Sequence, residues 1–339
     1  MPSTERGWAA RVAGLSRQGE RRFAWWSGRM MEGGMLESRF RGGMIGSALG
    51  DAIGELAFRR PTRERLLAEV GRRERLVYTD DTAMAIGLAE SIAGVGGLDE
   101  RHLGDTFKAN FSREPWRGYA AGPPTVFAQV EQQGLSYREA ARRLYGGEGS
   151  FGNGAAMRIA PLGLVFHDAP GLYEKARLSA AVTHAHPVGI DGAAVQARAV
   201  AYAVAQDPAR PFSADDFIRS LLDTARTPEV AGKLRLVRQL VLEAAPAQQA
   251  AQALGQGVAV QRSLPFALFC FASHSGAFQD CLFCAVLNGG DRDTLGAMAC
   301  AISGAHLGVE AIPHEWRGKL ENREAIEALA VRLVRMRGA

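Results

Sequence analysis

The sequence lacks several patterns that would assign a function directly. It has no His-Glu-x-x-His zinc helix, no EF-hand loop and no glycine-rich phosphate loop that ends in Lys followed by Ser or Thr. It contains only four cysteines, and Cys281-Leu-Phe-Cys284 has no second pair to complete a zinc site. These absences exclude the metal and nucleotide sites that a single motif encodes. The cysteines are expected to be buried free thiols in a reducing compartment, so we predict a cytoplasmic protein.

Long apolar runs and alternating strand patterns are also missing. No apolar run reaches the length that spans a bilayer, so we expect no membrane-integral segment. With 339 residues and 47% hydrophobic content, the chain can bury a substantial core. Apolar residues recur at helical spacing in four segments: 82–92, 177–182, 192–205 and 293–304. The sequence therefore predicts an all-α fold in a single compact, orthogonal helical domain.

Glycine and proline groups predict where the loops lie, and charge helps to divide the chain. Loops are expected at 59–61, 94–97, 121–124, 146–154 and 288–290. The formal charge of +4 and pI of about 9.0 indicate only mild attraction to anionic ligands, because arginine is spread along the chain. Residues 1–37 are Arg-rich and contain three tryptophans. We expect them to form a flexible extension, or to precede the true start codon, and we assign the domain to 38–339.

Two acidic clusters carry the best indication of function. They are Thr79-Asp80-Asp81-Thr82 and Asp291-Arg292-Asp293-Thr294, and each is followed at once by a helical run. One acidic group is enough to cap a helix, so the additional carboxylates favour a cation. Hard divalent ions such as Mg²⁺ and Mn²⁺ take oxygen ligands from Asp, Thr and water. The clusters therefore predict a site for one ion or a close pair, with helix capping as the alternative for either cluster alone.

Two further segments carry residue types that are typical of ligand sites. The glycine-rich segment 146–154 precedes a short helical run, where exposed amides can bind a phosphate. A flexible surface loop is the alternative. His184 and His186 share one short segment and could serve a polar site, although a lone histidine is more often structural.

Several separated segments together resemble the ADP-ribosylglycohydrolases, a family that includes the dinitrogenase reductase-activating glycohydrolase and the ADP-ribosylhydrolases. Segment 42–54 resembles the family's opening helix, 78–84 its first metal motif and 290–294 its second. The type-3 ADP-ribosylhydrolases are the most similar branch, through segments 117–122, 149–158, 183–185 and 262–265. The resemblance covers about residues 39–337. It implies an all-helical domain with two Mg²⁺ ions, or Mn²⁺ in their place, at the base of an ADP-ribose cleft.

The resemblance also implies roles for individual residues. It implies these metal ligands: Thr79, Asp80, Asp81, Asp291, Asp293 and Thr294. It implies these residues around ADP-ribose: Gly118, Gly122, Tyr145, Gly149, Ser150, Phe151, Gly152, Asn153 and His184. Tyr145 would lie against adenine, and His184 near the distal ribose or a phosphate. Asp80 or Asp81 would orient the attacking water.

Two positions depart from the family pattern. The family glutamate that follows the Gly-Asp motif by seven residues corresponds to Phe58 here. We therefore assign a catalytic role to Glu55, with Glu64 or an Asp of the metal set as alternatives. Arg292 stands where the family usually has Thr, and it is expected to turn either toward a substrate phosphate or into solvent.

The resemblance implies a Mg²⁺-dependent hydrolase that cleaves the C1″ bond of ADP-ribose conjugates. Candidate substrates are serine-linked ADP-ribose on proteins, poly(ADP-ribose) and O-acetyl-ADP-ribose, and we expect the enzyme to act as a monomer. A second hypothesis is an ADP-ribose-binding protein with little turnover, because the usual glutamate is absent. A third keeps the metals but assigns them another phosphate-containing substrate, since a fold alone does not determine chemistry.

Overall fold

Helices account for nearly all regular structure in the computed structural model, which describes residues 33–337. The first helix, α1, covers residues 33–57. The others are α2 (Arg63–Arg72), α3 (Asp80–Val95), α4 (Glu100–Arg113), α5 (Gly122–Gln133), α6 (Tyr137–Arg143), α7 (Gly154–Met157), α8 (Ala160–Val165), α9 (Leu172–Ala181), α10 (Pro187–Ala205), α11 (Ala214–Leu222), α12 (Pro228–Leu242), α13 (Ala247–Leu254), α14 (Leu264–Ser273), α15 (Phe278–Leu287), α16 (Arg292–Leu307), α17 (His314–Lys319) and α18 (Arg323–Met336). Short 3-10 turns lie at Leu144–Gly147, Val260–Arg262 and Val309–Ala311.

The predicted all-α class is confirmed. Between residues 33 and 337 there is no β-strand, and the only pairings of that kind are two isolated bridges, Leu76 with Leu320 and Gly152 with Ala259. The four predicted helical segments fall within α3, α9, α10 and α16 to within one residue. Residues 1–32, most of the predicted N-terminal extension, lie outside the described residues, so that prediction stays a prediction.

One predicted loop, 121–124, is wrong. Gly122 to Pro124 form the first turn of α5. Proline is accepted there because the first N–H groups of a helix have no partner within the helix, and the fixed φ of proline suits the helical conformation. The Pro-Pro pair therefore marks a helix start at this position.

The core is centred on α10, which is buried along most of its length and packs against α7, α8, α9 and α16. A helix that is apolar on all sides is typical of the interior of a large domain. All four cysteines are buried and free, as the sequence predicted. Within 33–337, no helix is both long and apolar enough to cross a membrane.

Close packing of α1 against α16 positions the functional residues. Four glycines of α1, spaced four residues apart, face the backbone of α16: Gly42, Gly46, Gly50 and Gly54. A Cβ at Gly50 would lie 2.1 Å from the carbonyl oxygen of Gly296, and one at Gly54 would lie 2.5 Å from that of Arg292. Only glycine permits the two helices to approach so closely. This contact brings Asp51 of α1 next to the start of α16.

Candidate active site

Asp51 is a fully buried carboxylate that holds the start of α3 in place. Its oxygens accept hydrogen bonds from the backbone N–H groups of Thr79 and Thr82, at 3.0 and 3.1 Å. The oxygens of Asp51 also accept hydrogen bonds from the side-chain hydroxyl groups of Thr79 and Thr82, at 2.9 and 2.5 Å. Thr79 precedes α3 but does not cap it with its own side chain. A residue of α1 therefore caps α3, and this cap fixes Asp80 and Asp81 relative to α1.

The second acidic cluster opens α16 and is held by neighbouring loops. Asn153 donates a hydrogen bond from Nδ2 to Oδ2 of Asp291, at 2.6 Å, and the backbone N–H of Asp291 donates to the carbonyl of Gln256, at 2.8 Å. Asp293 accepts from the backbone N–H of Thr294, at 2.9 Å. Both clusters thus stand at helix N-termini, where the helix dipole favours negative charge.

Burial and mutual repulsion raise the pKa values of these carboxyl groups. Burial, and then the charge of Asp51, raises the pKa of Asp80 to about 7. Burial, and then the charge of Asp291, raises the pKa of Asp293 to about 8. The pKa of Asp81 lies well above its usual range, mainly because of burial and then the charge of Asp293. A cation between the clusters would offset both causes and favour the ionised form of these carboxyl groups.

The donor chemistry fits a hard divalent ion. Asp81 is only 2% exposed, and its Oδ1 has no hydrogen-bond partner in the structure. A buried carboxylate oxygen without a donor is unfavourable unless a cation contacts it. All predicted ligands present oxygen, as Mg²⁺ and Mn²⁺ require. Within residues 33–337, however, no three Asp, Glu, His or Cys side chains are already grouped closely enough to hold an ion. An ion at this site therefore needs oxygens from water or substrate as well.

Most of the predicted site residues line one cavity of about 290 Å³. The walls include Asp80, Asp81, Gly118, Gly122, Tyr145, Ser150, Gly152, Asn153, His184, Asp291, Asp293 and Thr294. Tyr145 is 62% exposed and has a φ of 53°, an uncommon backbone conformation for an aromatic residue. Residues that are distant in the sequence therefore meet around the two acidic clusters.

Four predicted residues lie outside that cavity. Thr79 and Glu55 line an adjoining cavity of about 620 Å³, which shares Asp80, Asp293 and Gly118 with the first. Gly149 packs against the segment before α10, where a Cβ would lie 2.8 Å from the Cβ of Ala185. The ring of Phe151 is 41% exposed, and its centroid lies 5.3 Å from that of His186. The cavities group most of the predicted residues, and the metal-binding, catalytic and substrate-binding roles of all of them, including Gly149 and Phe151, stay predictions.

Residues 256–260, which the sequence analysis did not indicate, form hydrogen bonds with the glycine-rich loop and with the start of α16. We call this segment the brace. The carbonyl of Val258 accepts from the backbone N–H of Asn153 at 2.8 Å, and the carbonyl of Phe151 accepts from the backbone N–H of Val260 at 3.0 Å. The carbonyl of Gln256, at the other end of this segment, accepts a hydrogen bond from the backbone N–H of Asp291. Segment 256–260 therefore connects the glycine-rich loop to the start of α16, and the glycine-rich loop is not a free surface loop.

His184 faces the cavity as a neutral ring. Burial, and then the charge of Arg158, lowers the pKa of His184 to about 3. Arg158 is fully buried and donates to the hydroxyl of Thr183 at 2.8 Å, and this hydroxyl lies 2.8 Å from Nδ1 of His184. The hydroxyl accepts from Arg158 and still has its own hydrogen, which it can donate to Nδ1; in this tautomer the ring proton is on Nε2. Nε2 can then donate to a ribose or phosphate oxygen.

Arg292 does not reach the cavity. Its guanidinium donates to the carbonyl of Val286 at the end of α15 and is half-buried there, which lowers its pKa. Both predicted orientations, toward a substrate phosphate and into solvent, are therefore wrong. The free carbonyl groups at a helix C-terminus attract a cation, and this explains why an arginine is accepted between two acidic ligands.

Comparison with known proteins agrees with this geometry. Residues 33–339 match the sequence pattern described as ADP-ribosylglycohydrolase. The ADP-ribosylhydrolase ARH3 of Bos taurus is 33% identical, and that of Homo sapiens is 32% identical; each match covers 88% of this chain and 93% of the relative. A solved "ADP-ribosylglycohydrolase-related protein complex" has a TM-score of 0.66 at 26% identity, over 89% of this chain and 99% of that one. The chain belongs to the ADP-ribosylglycohydrolase family of enzymes.

Proposed function

We propose that this enzyme hydrolyses the C1″ bond of ADP-ribose conjugates and releases ADP-ribose in a Mg²⁺-dependent reaction. The observation that carries the proposal is that one cavity unites two acidic helix starts, the braced glycine-rich loop and the neutral His184. The names of the vertebrate relatives agree with this activity.

Two Mg²⁺ ions, or Mn²⁺, would be held by Thr79, Asp80, Asp81, Asp291, Asp293 and Thr294, and when bound they supply positive charge and a more acidic water. The hydroxyl of Thr79 donates its hydrogen to Asp51, so its lone pairs remain available to a cation. Asp80 or Asp81 orients the water that attacks C1″. Because the bond is glycosidic, the buried carboxylates also stabilise the positive charge that develops on the sugar ring.

Glu55 is the carboxylate best placed to move a proton at the leaving group. It is exposed at the end of α1 and lines the adjoining cavity together with Asp80 and Asp293. Glu64 lies on the first turn of α2, is exposed and lines neither cavity. We expect Glu55→Gln to lower kcat by about 10²- to 10⁴-fold, the usual contribution of a general acid or base. ADP-ribose affinity, measured by calorimetry, should change little.

The matched control is Glu64→Gln, which removes the same charge outside both cavities and should retain wild-type kcat. Equal kcat values for the two variants would remove Glu55 from the mechanism. A wild-type chain that binds ADP-ribose but releases none from any conjugate would instead support the second candidate function, an ADP-ribose-binding protein. This second candidate is favoured by Phe58, because it stands where the family usually has a glutamate that acts in catalysis.

Metal binding should stabilise the fold more at high pH than at low pH. The pKa values of Asp80, Asp81 and Asp293 are raised, so between about pH 4 and pH 8 the folded chain holds more protons than the unfolded chain. Without metal, these groups therefore lower stability as pH rises through that window. Mg²⁺ displaces the protons, so its stabilisation, about 2.7 kcal/mol at a hundred times Kd, should be fully present at about pH 8 and much smaller at about pH 5.

The measurement is thermal unfolding in EDTA and in Mg²⁺ at the two pH values. Asp293→Ala serves as the control and should lose most of the response to Mg²⁺. An equal Mg²⁺ response in the variant and the wild type would show that the metal binds elsewhere. An Mg²⁺ response that is as large at pH 5 as at pH 8 would contradict the competition between protons and metal.

The substrate class is tested by product release. We propose serine-linked ADP-ribose and poly(ADP-ribose) as substrates, on the basis of the resemblance of segments 117–122, 149–158, 183–185 and 262–265 to the type-3 branch of the family. Free ADP-ribose is measured after incubation with a serine-ADP-ribosylated peptide, with poly(ADP-ribose) and with O-acetyl-ADP-ribose. An arginine-ADP-ribosylated peptide is the specificity control. Release from the arginine peptide alone would overturn the proposed substrate class.

A further inference from the structure

The cavity of about 620 Å³ that adjoins the acidic clusters has walls unlike those of the first. Its walls include the acidic residues Asp80 and Asp293 and also four arginines, Arg59, Arg60, Arg73 and Arg75, which we call the arginine wall. Two exposed rings also line it: Phe58, 47% exposed, and Trp116, 70% exposed. We call these the aromatic pair. The role that we propose for the acidic clusters does not require either feature.

One buried carboxylate organises half of the arginine wall. Glu69 accepts from Arg60 at 3.3 Å, from Arg73 at 2.8 Å and from Arg72, just outside the cavity, at 2.7 Å. Three guanidinium groups around one carboxylate leave an excess of positive charge. Arg59 and Arg75 are exposed, and neither pairs with an acidic side chain within residues 33–337. The wall is thus a fixed cationic surface with free donors, as anion binding requires.

We propose that this cavity is a leaving-group subsite for a nucleoside diphosphate, with the aromatic pair against the base and the arginine wall against the two phosphates. The proposal rests on the proposed function, because it places the scissile C1″ bond at Asp80 and Asp293, where the two cavities meet. The group beyond that bond then enters the second cavity. Phe58, at the position of the family glutamate, becomes part of the wall that selects this group.

Exposed aromatic rings beside arginines distinguish a nucleotide from an acidic peptide. Either ligand would satisfy the arginine wall, but stacking on exposed rings is the usual way in which proteins bind nucleobases. In poly(ADP-ribose), C1″ is joined to the ribose of an adenosine, so the base lies next to the bond and the diphosphate follows. A base and two phosphates beyond the scissile bond match the aromatic pair and the arginine wall. The chain should therefore act better on the polymer than on a single ADP-ribose attached to serine.

The test compares initial rates on an ADP-ribose dimer and on a neutral serine-ADP-ribosylated peptide. The double variant Arg59→Gln/Arg75→Gln removes the two unpaired arginines and leaves the Glu69 cluster intact. We expect its KM for the dimer to rise at least about tenfold with kcat retained, since each charged hydrogen bond contributes substantially. Its KM for the peptide should change by less than about twofold. Trp116→Ala should show the same selectivity.

Arg101→Gln is the control for loss of charge, because its side chain is 91% exposed and lies on α4 away from both cavities. Higher salt should raise the dimer KM of the wild type more than that of the double variant. Equal changes in KM for the dimer and the peptide, or no change in KM for the dimer, would overturn the subsite.

Failure of the proposed function gives a separate result. If the wild type hydrolyses neither substrate, the hydrolase proposal falls, and the same dimer is compared with ADP-ribose by calorimetry. The subsite then predicts tighter binding of the dimer and loss of this difference in Arg59→Gln/Arg75→Gln. Equal affinity of the wild type for both ligands would overturn it.

Discussion

Asp80→Ala and Asp293→Ala are each expected to reduce kcat for ADP-ribose release by about 10³-fold or more while the helical fold persists. Each residue supplies a carboxylate from a different helix start to the same cavity. Loss of one fixed charge at a reacting centre commonly costs 10²- to 10³-fold, and loss of a metal costs more. The checks are kcat with Mg²⁺ and the circular dichroism of each variant.

Neither substitution should unfold the chain in EDTA. Both side chains are partly exposed, and both have raised pKa values because burial and neighbouring carboxylates disfavour their charge. Removing one carboxylate therefore relieves repulsion, and the melting temperature in EDTA should stay the same or rise. Asp223→Asn, at an exposed position after α11, is the control and should keep full activity. Wild-type turnover in both alanine variants would refute the proposed metal site.

Gly50→Ala is expected to destabilise the fold by about 3 kcal/mol or more, the upper part of the range for overpacking. The new methyl group would meet backbone, 2.1 Å from the oxygen and 2.4 Å from the carbon of the Gly296 carbonyl, and backbone cannot move aside as a flexible side chain can. Separation of α1 from α16 would also move Asp51, which caps α3. Activity at permissive temperature should therefore fall together with the free energy of unfolding.

A glycine in the middle of another helix supplies the matched control. Gly232 lies within α12, is exposed, and a Cβ there would have no atom within 4 Å. Gly232→Ala should stabilise the fold by about 0.5 to 1 kcal/mol, because alanine loses less backbone entropy than glycine in a helix. Denaturant unfolding of both variants measures the difference. A Gly50→Ala chain as stable as wild type would show that the two helices are not held by direct backbone contact.

The sequence predicted the fold class and the two helix starts that carry the acidic clusters, because both depend on local patterns. That the two clusters form one site was implied by the family resemblance and not by any local pattern. Helical spacing of apolar residues indicated α3 and α16, and surplus carboxylates at their starts indicated a cation. The pattern of separated motifs then placed Gly118, Tyr145 and the glycine-rich loop near them. Features that depend on local patterns, including the burial of the four cysteines, could therefore be predicted from the sequence.

Contacts between distant segments could not be predicted in this way. Asp51 was recognised only as part of a Gly-Asp motif, although it caps another helix; the signal that could have found it is a carboxylate within an apolar, glycine-spaced helix, where it must find donors. The brace at 256–260 acts through its backbone and leaves no pattern of side chains. Arg292 was misplaced because its acceptor, the carbonyl of Val286, belongs to the preceding helix end.

The measurement that tests the central claim most directly is release of free ADP-ribose from a serine-ADP-ribosylated peptide by the wild-type chain, with Mg²⁺ and with EDTA. We expect release with Mg²⁺, loss of release with EDTA, and recovery when Mg²⁺ is restored in excess. Release that continues unchanged in EDTA would contradict a role for the two acidic clusters in holding a catalytic metal.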